Sequence, residues 1–323
     1  MLPGLLHALR LDESGGAVTL TTLEQLAPLQ NTQGKLWLHI DYSEPQVIEW
    51  LKKCHFLSEY ELTLLIAQET RPRVVNVNNG QLLFLRGVNL NPTQSPEDMV
   101  SLRFFINENI VITTRKRHLL SIQDTLTDLA NNKGPKSISQ LVCALTHNLI
   151  WRMQDVVDGL DEVLDLFEDE IDEPSKKFDN QGLSQLRRQA IALKRYLKPQ
   201  KEALNNLLSH PYAWLNTDDK TKLNETTNLL IRYLEELENA IERAQIIQQT
   251  MATQVSEQLN QRMYVMSIVA AIFLPLGFLT GLLGVNIGGI PGTDTPYAFA
   301  LFIAALILIS AVIGFYLKFK KWL

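Results

Sequence analysis

Several things are scarce in this 323-residue chain, and each scarcity excludes something. Two cysteines, Cys54 and Cys143, cannot build a disulfide framework and fit a reducing compartment. Positive charge is not in excess: 30 Lys and Arg face 35 Asp and Glu, a net charge of -5, so nucleic acid is a poor partner. With 16 Gly and 13 Pro the chain is neither collagen-like nor disordered. Met1 to Arg10 has no long apolar run, and Asp12 and Glu13 follow closely, so it does not read as a signal peptide. The motifs GxxxxGK[ST], HExxH and CxxC are missing, and the six histidines are scattered. No nucleophile–base constellation is legible, and the chain reads as a non-enzyme without a cofactor.

Charge is also missing from one end. Residues 263–293 and 295–317 carry none. Val265 to Val285 gives 21 uncharged, mostly apolar residues, and Ala298 to Leu317 gives 20 more. About 20 apolar residues at 1.5 Å each cross a hydrocarbon layer of roughly 30 Å. Both segments read as transmembrane helices. The loop between them, 286–297, has no Lys or Arg, whereas Arg262 precedes the first span and Lys318, Lys320 and Lys321 follow the second. The positive-inside rule puts both termini in the cytoplasm. Tyr297 and Trp322 stand at opposite ends of the second span, as interface anchors do. The expected division is a cytoplasmic domain at 1–135, long helices and a stalk at 136–262, spans at 263–285 and 298–317, an outer loop at 286–297 and a basic tail at 318–323.

The cytoplasmic part begins with strand signals. Period-two alternation marks 37–42, 73–78, 82–90, 100–106 and 109–114. Asn78-Asn79-Gly80 and Asn107-Glu108-Asn109 read as hairpin turns, and 45–53 and 58–68 as helices. The fold class is therefore α+β with a mostly antiparallel sheet. Arg71-Pro72-Arg73 reads as a strand entry, not an anion site. After Pro135 the period becomes helical: 137–173 with Ser137 as N-cap, then 182–209, bent or broken near Pro199. A third pattern starts at Thr217, with Leu223, Leu230, Leu234, Leu237, Ile241 and Ala244 at helical spacing, and no Gly or Pro interrupts it before Pro275. One helix from 217 to 283 would measure roughly 100 Å, which makes it a stalk.

Three sets of residues are candidates for function. Asp155, Asp158, Glu162, Asp165, Asp169 and Asp172 step by three or four along one helix face. The next helix is basic, with Arg187, Arg188, Lys194, Arg195, Lys198 and Lys201. The acidic face is either half of an oppositely charged hairpin or a surface that attracts cations. Cys143 and His147 stand at i and i+4, either two ligands for one metal or a core thiol beside a polar histidine. In the first span Asn260, Met263, Ser267, Ala270, Leu274, Gly277 and Gly281 form one face of mostly small or weakly polar side chains. Small residues let helices pack closely, and they also leave room along an axis where copies of the helix meet. One such helix and one greasy helix cannot enclose a pathway, but a closed ring of subunits can.

The first span ends in Gly284-Val285-Asn286, continued by Ile287-Gly288-Gly289-Ile290-Pro291-Gly292. In this the chain resembles the CorA superfamily of divalent-cation transporters, where a Gly-Met-Asn tripeptide follows the first of two C-terminal spans. Valine at the centre and the Gly-Gly-Ile-Pro-Gly continuation resemble the ZntB branch, associated with zinc. The resemblance covers the whole chain. It implies an inner-membrane homopentameric funnel that carries zinc, or alternatively magnesium or cobalt, driven by ion gradients. It places Gly284, Val285 and Asn286 at the outer mouth, where a ring of Asn286 amides would hold a hydrated cation through its water shell. Asn286 reads alternatively as a helix C-cap. Many relatives carry Met-Pro-Glu in the loop where this chain has Ile290-Pro291-Gly292, so only Asp294 supplies an acid there. Proton coupling is implied for the zinc branch, yet neither span holds an Asp, Glu or His to carry a proton. A membrane-anchored cytoplasmic binding module is the competing reading, and it gives no reason for the small-residue stripe or the Gly-Val-Asn end.

Overall fold

The structure is a computed structural model that describes residues 2–21, 34–54, 56–68, 70–171, 178–285, 292 and 295–320. The chain divides into an N-terminal unit, Met1–Ile247, and a C-terminal unit, Gln248–Leu323.

The N-terminal unit is organised by a seven-stranded sheet. Its strands are β1 (Leu5–Leu11), β2 (Ala17–Thr19), β3 (Leu36–Asp41), β4 (Arg73–Val77), β5 (Gly80–Gly87), β6 (Val100–Ile106) and β7 (Ile110–Arg115). They lie in the order β2-β1-β3-β7-β6-β5-β4. Every neighbouring pair is antiparallel except β3 with β7. The expected mostly antiparallel sheet is present. β1 and β2 fall in a stretch where alternation had not marked strands.

Both hairpin turns sit where the asparagines predict them. Asn107 Oδ1 accepts from the backbone N–H groups of Asn109 and Ile110, each at 2.9 Å, and so closes β6–β7. At the β4–β5 turn, a Cβ on Gly80 would stand 2.2 Å from the Ile106 carbonyl oxygen. Only glycine lets β5 start this close to β6.

Alternation along the strands builds two cores. Leu82, Phe84, Phe105, Ile110 and Ile112 pack on one face with α1 (Pro45–Lys53) and α2 (Glu59–Ile66), through Val47, Leu51, Leu62 and Leu65. The α2 start is a reciprocal cap: Ser58 Oγ accepts from Glu61 N–H at 3.2 Å and Glu61 Oε2 from Ser58 N–H at 2.7 Å. Leu83, Leu85, Leu102, Phe104, Ile106 and Val111 face the other core with the later helices.

Those helices are α3 (Leu120–Ala130), α4 (Ile138–Trp151), α5 (Gln154–Ile171), α6 (Asn180–Ser209) and, up to Ile247, α7 (Thr217–Leu283); α8 (Ala298–Phe319) belongs to the C-terminal unit. Ser137 caps α4, accepting from Gln140 N–H at 3.1 Å, as its position predicts. The pattern at 137–173 is two helices rather than one. No glycine or proline signals the break; there Arg152 reaches Asp124 of α3 at 2.7 and 2.6 Å while Met153 is buried. Pro199 does not break α6, which is continuous from Asn180 to Ser209. α3 lay in a stretch the periodicity left unassigned.

Candidate functional site

α7 is one helix of 67 residues, as its uninterrupted period predicts. Its start is fixed by Asn216, whose Oδ1 accepts from Asp219 N–H at 2.8 Å, and Asp218 and Asp219 complement the positive end of the helix. Leu223, Leu230, Leu234, Leu237 and Ala244 are buried in the N-terminal core and Ile241 is partly buried against it.

The character of α7 changes in the C-terminal unit. Asn260, Met263, Ser267, Ala270, Leu274, Gly277 and Gly281 are all exposed in the single chain. Reduced exposure falls instead on Ile268, Ile272, Pro275, Leu276 and Leu279. At 100° per residue the two sets centre roughly 155° apart on the helix. On α8 reduced exposure falls on Ala298, Phe302, Leu306, Ile309, Ser310, Ile313, Gly314 and Leu317, a set that follows one side of the helix. Each helix thus has one sheltered face, and the small-residue stripe lies opposite the one on α7. A Cβ added at Gly277 or Gly281 would meet no atom within 4 Å. Large apolar side chains on both helices stay open, among them Leu274 at 74% and Phe299 at 75%. Both helices are long and apolar enough to cross a bilayer.

The stripe has little polar capacity of its own. Ser267 donates its hydroxyl to the Met263 carbonyl at 2.8 Å, keeping lone pairs for a further donor. At the end of α7, Gly284 N–H donates to the Thr280 carbonyl at 2.9 Å, and a Cβ on Gly284 would stand 2.8 Å from that oxygen. Glycine is therefore required where the helix closes. Val285 follows, exposed, and Asn286 lies outside the described residues.

The acidic face is exposed at Asp155, Asp158, Glu162, Asp165 and Asp169; Asp172 lies outside the described residues. Among the described residues its ion-pair partner lies on α7. Arg243 of α7 donates to Asp161 at 2.6 Å, to Asp165, and to both oxygens of Glu168 at 2.8 Å. These bonds push the Arg243 pKa up and hold the Glu168 carboxyl below its ordinary range. On the basic helix, Lys194 pairs with Glu238 of α7 at 2.9 Å and Arg187 donates to Gln245 at 3.2 Å. Asp161, Glu168 and Arg243 escaped the sequence reading. The step of four and three from Asp161 through Asp165 to Glu168 was the available signal; Arg243 had none.

Cys143 is buried and its Sγ donates to the Asp219 carbonyl at 3.4 Å. Burial, reinforced by Asp219, pushes its thiol up to about 12, so it stays protonated at neutral pH and is a poor metal ligand. His147 Nδ1 stands 3.4 Å from Thr226 Oγ1, its ring 6.0 Å from that of Trp151, and burial lowers its pKa. Both line a cavity of about 560 Å³ with Asp219 and Glu225. Among the described residues no group of three or more His, Cys, Asp or Glu is arranged to hold a metal.

A family model for the CorA-like Mg²⁺ transporter protein matches residues 32–321. The divalent cation transporter CmaX of Pseudomonas aeruginosa is 42% identical over 283 residues, covering 87% of this chain and 84% of the relative. The zinc transport protein ZntB of Pectobacterium atrosepticum is 33% identical over 322 residues, covering 99% and 96%. The solved full-length structure of CmaX superposes with a TM-score of 0.87 at 37% identity, over 98% of this chain and 99% of that one. A matching family model over nearly the whole length, and full-length relatives that are transporters rather than enzymes, agree with the long helix, the second apolar helix and the mixed sheet: the chain belongs to the CorA-like family of divalent-cation transporters.

Proposed function

We propose that the chain moves zinc across the inner membrane through a central pathway in a homo-oligomer, a pentamer, with both termini cytoplasmic. The observation that carries this is the stripe on α7. It is exposed, mostly small or weakly polar, and turned away from the face that is sheltered in the single chain. A hairpin serving only as an anchor has no use for it. Several copies meeting along this stripe enclose an axis while the opposite faces and α8 meet lipid.

Along that axis the ion meets no Cys, His, Asp or Glu between 260 and 285, so it travels with its water rather than bound to protein side chains. Asn286 carries the selectivity: a ring of its amides accepts hydrogen bonds from the hydration shell, with Gly284 closing the helix and leaving Asn286 free to face inward. Full-length similarity to ZntB and the valine at 285 support zinc. Similarity to CmaX, named only for divalent cations, supports the broader class and keeps magnesium or cobalt as the second reading.

The test is flux into liposomes with zinc, magnesium and an imposed proton gradient, on the parent, Asn286→Ala and Asn286→Asp. The Ala variant loses its water-ordering acceptors, and divalent flux or selectivity falls while the oligomer still assembles. The Asp variant binds cations more tightly and conducts poorly, because conduction needs binding that is favourable but shallow. Parent-like transport by both variants assigns Asn286 to helix capping alone. A stable monomer in mild detergent refutes the pathway.

A further inference from the structure

A cavity of about 710 Å³ opens in the N-terminal unit, a size typical of small-molecule sites. Six cations line it: Arg71, Arg86, Arg103, Lys116, Arg117 and Arg195. Glu97 and Asp98 share the wall, so among the described lining residues six positive charges less two negative leave a surplus of four. Among the described residues none of the six stands within ion-pair distance of a carboxylate.

The sheet brings the first two together. Arg103 on β6 pairs with Phe84 of β5, and Arg86 lies opposite Ser101. Alternation puts both side chains on one face as diagonal neighbours, where like charges repel. Each is nevertheless held in place by neutral acceptors. Arg103 is 1% exposed and donates to the Leu65 carbonyl at 2.7 Å, the Tyr42 hydroxyl at 3.1 Å and Ser101 Oγ at 3.3 Å. Arg86 donates twice to the Thr70 carbonyl, at 3.2 and 3.0 Å, and once to that of Met99 at 2.9 Å. A guanidinium has five N–H donors, so two on each lack an acceptor among the described residues. The Tyr42 ring underlies Arg103 and the Tyr196 ring underlies Arg86, each 4.5 Å from the guanidinium carbon. Arg71, Lys116, Arg117 and Arg195 are exposed around this floor.

Burying a guanidinium whose described partners are all neutral is costly, and burial together with the charge of Arg86 lowers the Arg103 pKa. A ligand that matches this surplus carries several negative charges, since a single phosphate would leave most of it standing. We propose that this cavity binds an organic polyphosphate of the nucleoside triphosphate class, with Arg86 presenting its free N–H donors to phosphate oxygens, Arg103 adding its charge from the floor beneath and the rim cations neutralising the rest. Arginine forks match phosphate geometry, and a triphosphate carries about the charge the wall lacks. Such a site needs no P-loop, and it gives Arg71 a role beyond the entry of β4.

The experiment is calorimetric titration of ATP, and separately of inorganic triphosphate, into the full-length protein in detergent with EDTA present to remove divalent cations. Saturable binding of ATP is expected. Arg71→Gln combined with Arg117→Gln, both at the rim, should weaken it at least about tenfold, as loss of charge-assisted hydrogen bonds does. The ligand-free melting temperature should not move. The charge-matched control, Arg188→Gln with Lys220→Gln, should bind like the parent. Absence of saturable ATP binding up to about 1 mM overturns the proposal. So does equal weakening in the control, which would make the attraction one of net charge rather than of this cavity.

Discussion

Arg243 on α7 grips both oxygens of Glu168 on α5, at 2.8 Å each, across 75 residues of sequence. The same guanidinium reaches Asp161 and Asp165, so one cation holds three carboxylates that would otherwise repel. Arg243→Gln should lower stability by about 1 kcal/mol, a modest figure because the carboxylates are well exposed and screened. The pH dependence has a definite sign. Glu168 has a depressed pKa, so its contribution is complete above the ordinary carboxylate range and is lost as pH falls through the lowered value. Thermal melts of parent and variant should therefore differ at neutral pH and converge in acid.

Asp165 belongs to that clamp, whereas Asp155, Asp158 and Glu162 are exposed and outside it. Neutralising these three together should leave the melting temperature within about a degree. If the face gathers cations, uptake should fall most at low ionic strength, where fields extend beyond roughly 10 Å. Unchanged uptake with a large drop in melting temperature would make the face structural.

Cys143→Ala with His147→Asn should transport like the parent. The thiol, pushed up to about 12, should also react sluggishly with disulfide reagents at neutral pH in the folded protein, and quickly after unfolding. Loss of zinc uptake by a well-folded double variant would establish a metal role for the pair.

Two glycines should behave oppositely. Gly80→Ala drives a Cβ to 2.2 Å from the Ile106 carbonyl and should cost about 1–3 kcal/mol, read as reduced yield and a lower melting temperature. Gly277→Leu enters open space in the single chain and should fold normally. On the proposed pathway it narrows the axis once per subunit, so flux should collapse without loss of assembly.

Much of the architecture was legible because it rests on periodicity. The alternation at 100–106 and 109–114 marks β6 and β7, and the asparagine turn at 107–109 joins them. The bounds of α7 follow from an apolar stripe that no breaker interrupts. β1 was missed because its one strongly polar outward residue, Arg10, comes late in an otherwise mixed run, and its pairing with β3 is a long-range contact. The break between α4 and α5 was invisible because it is made by Arg152 reaching Asp124, a tertiary bond with no local signature. Among the candidate site residues, spacing identified the exposed stripe on α7, since facing is a local property. It could not reveal Arg243, nor the gathering of Arg71, Arg86, Arg103 and Arg195 around one cavity, because the sheet and α6 bring them together from distant parts of the chain.

The stripe on α7 has a genetic corollary. Each chain supplies a single stave, and on the proposed assembly every copy contributes to the same conduit. An obstructing allele such as Gly277→Leu should then act dominantly. Co-expressed with the parent, it would leave few assemblies composed wholly of intact staves, and transport by the cell should fall far below the share of parent protein made.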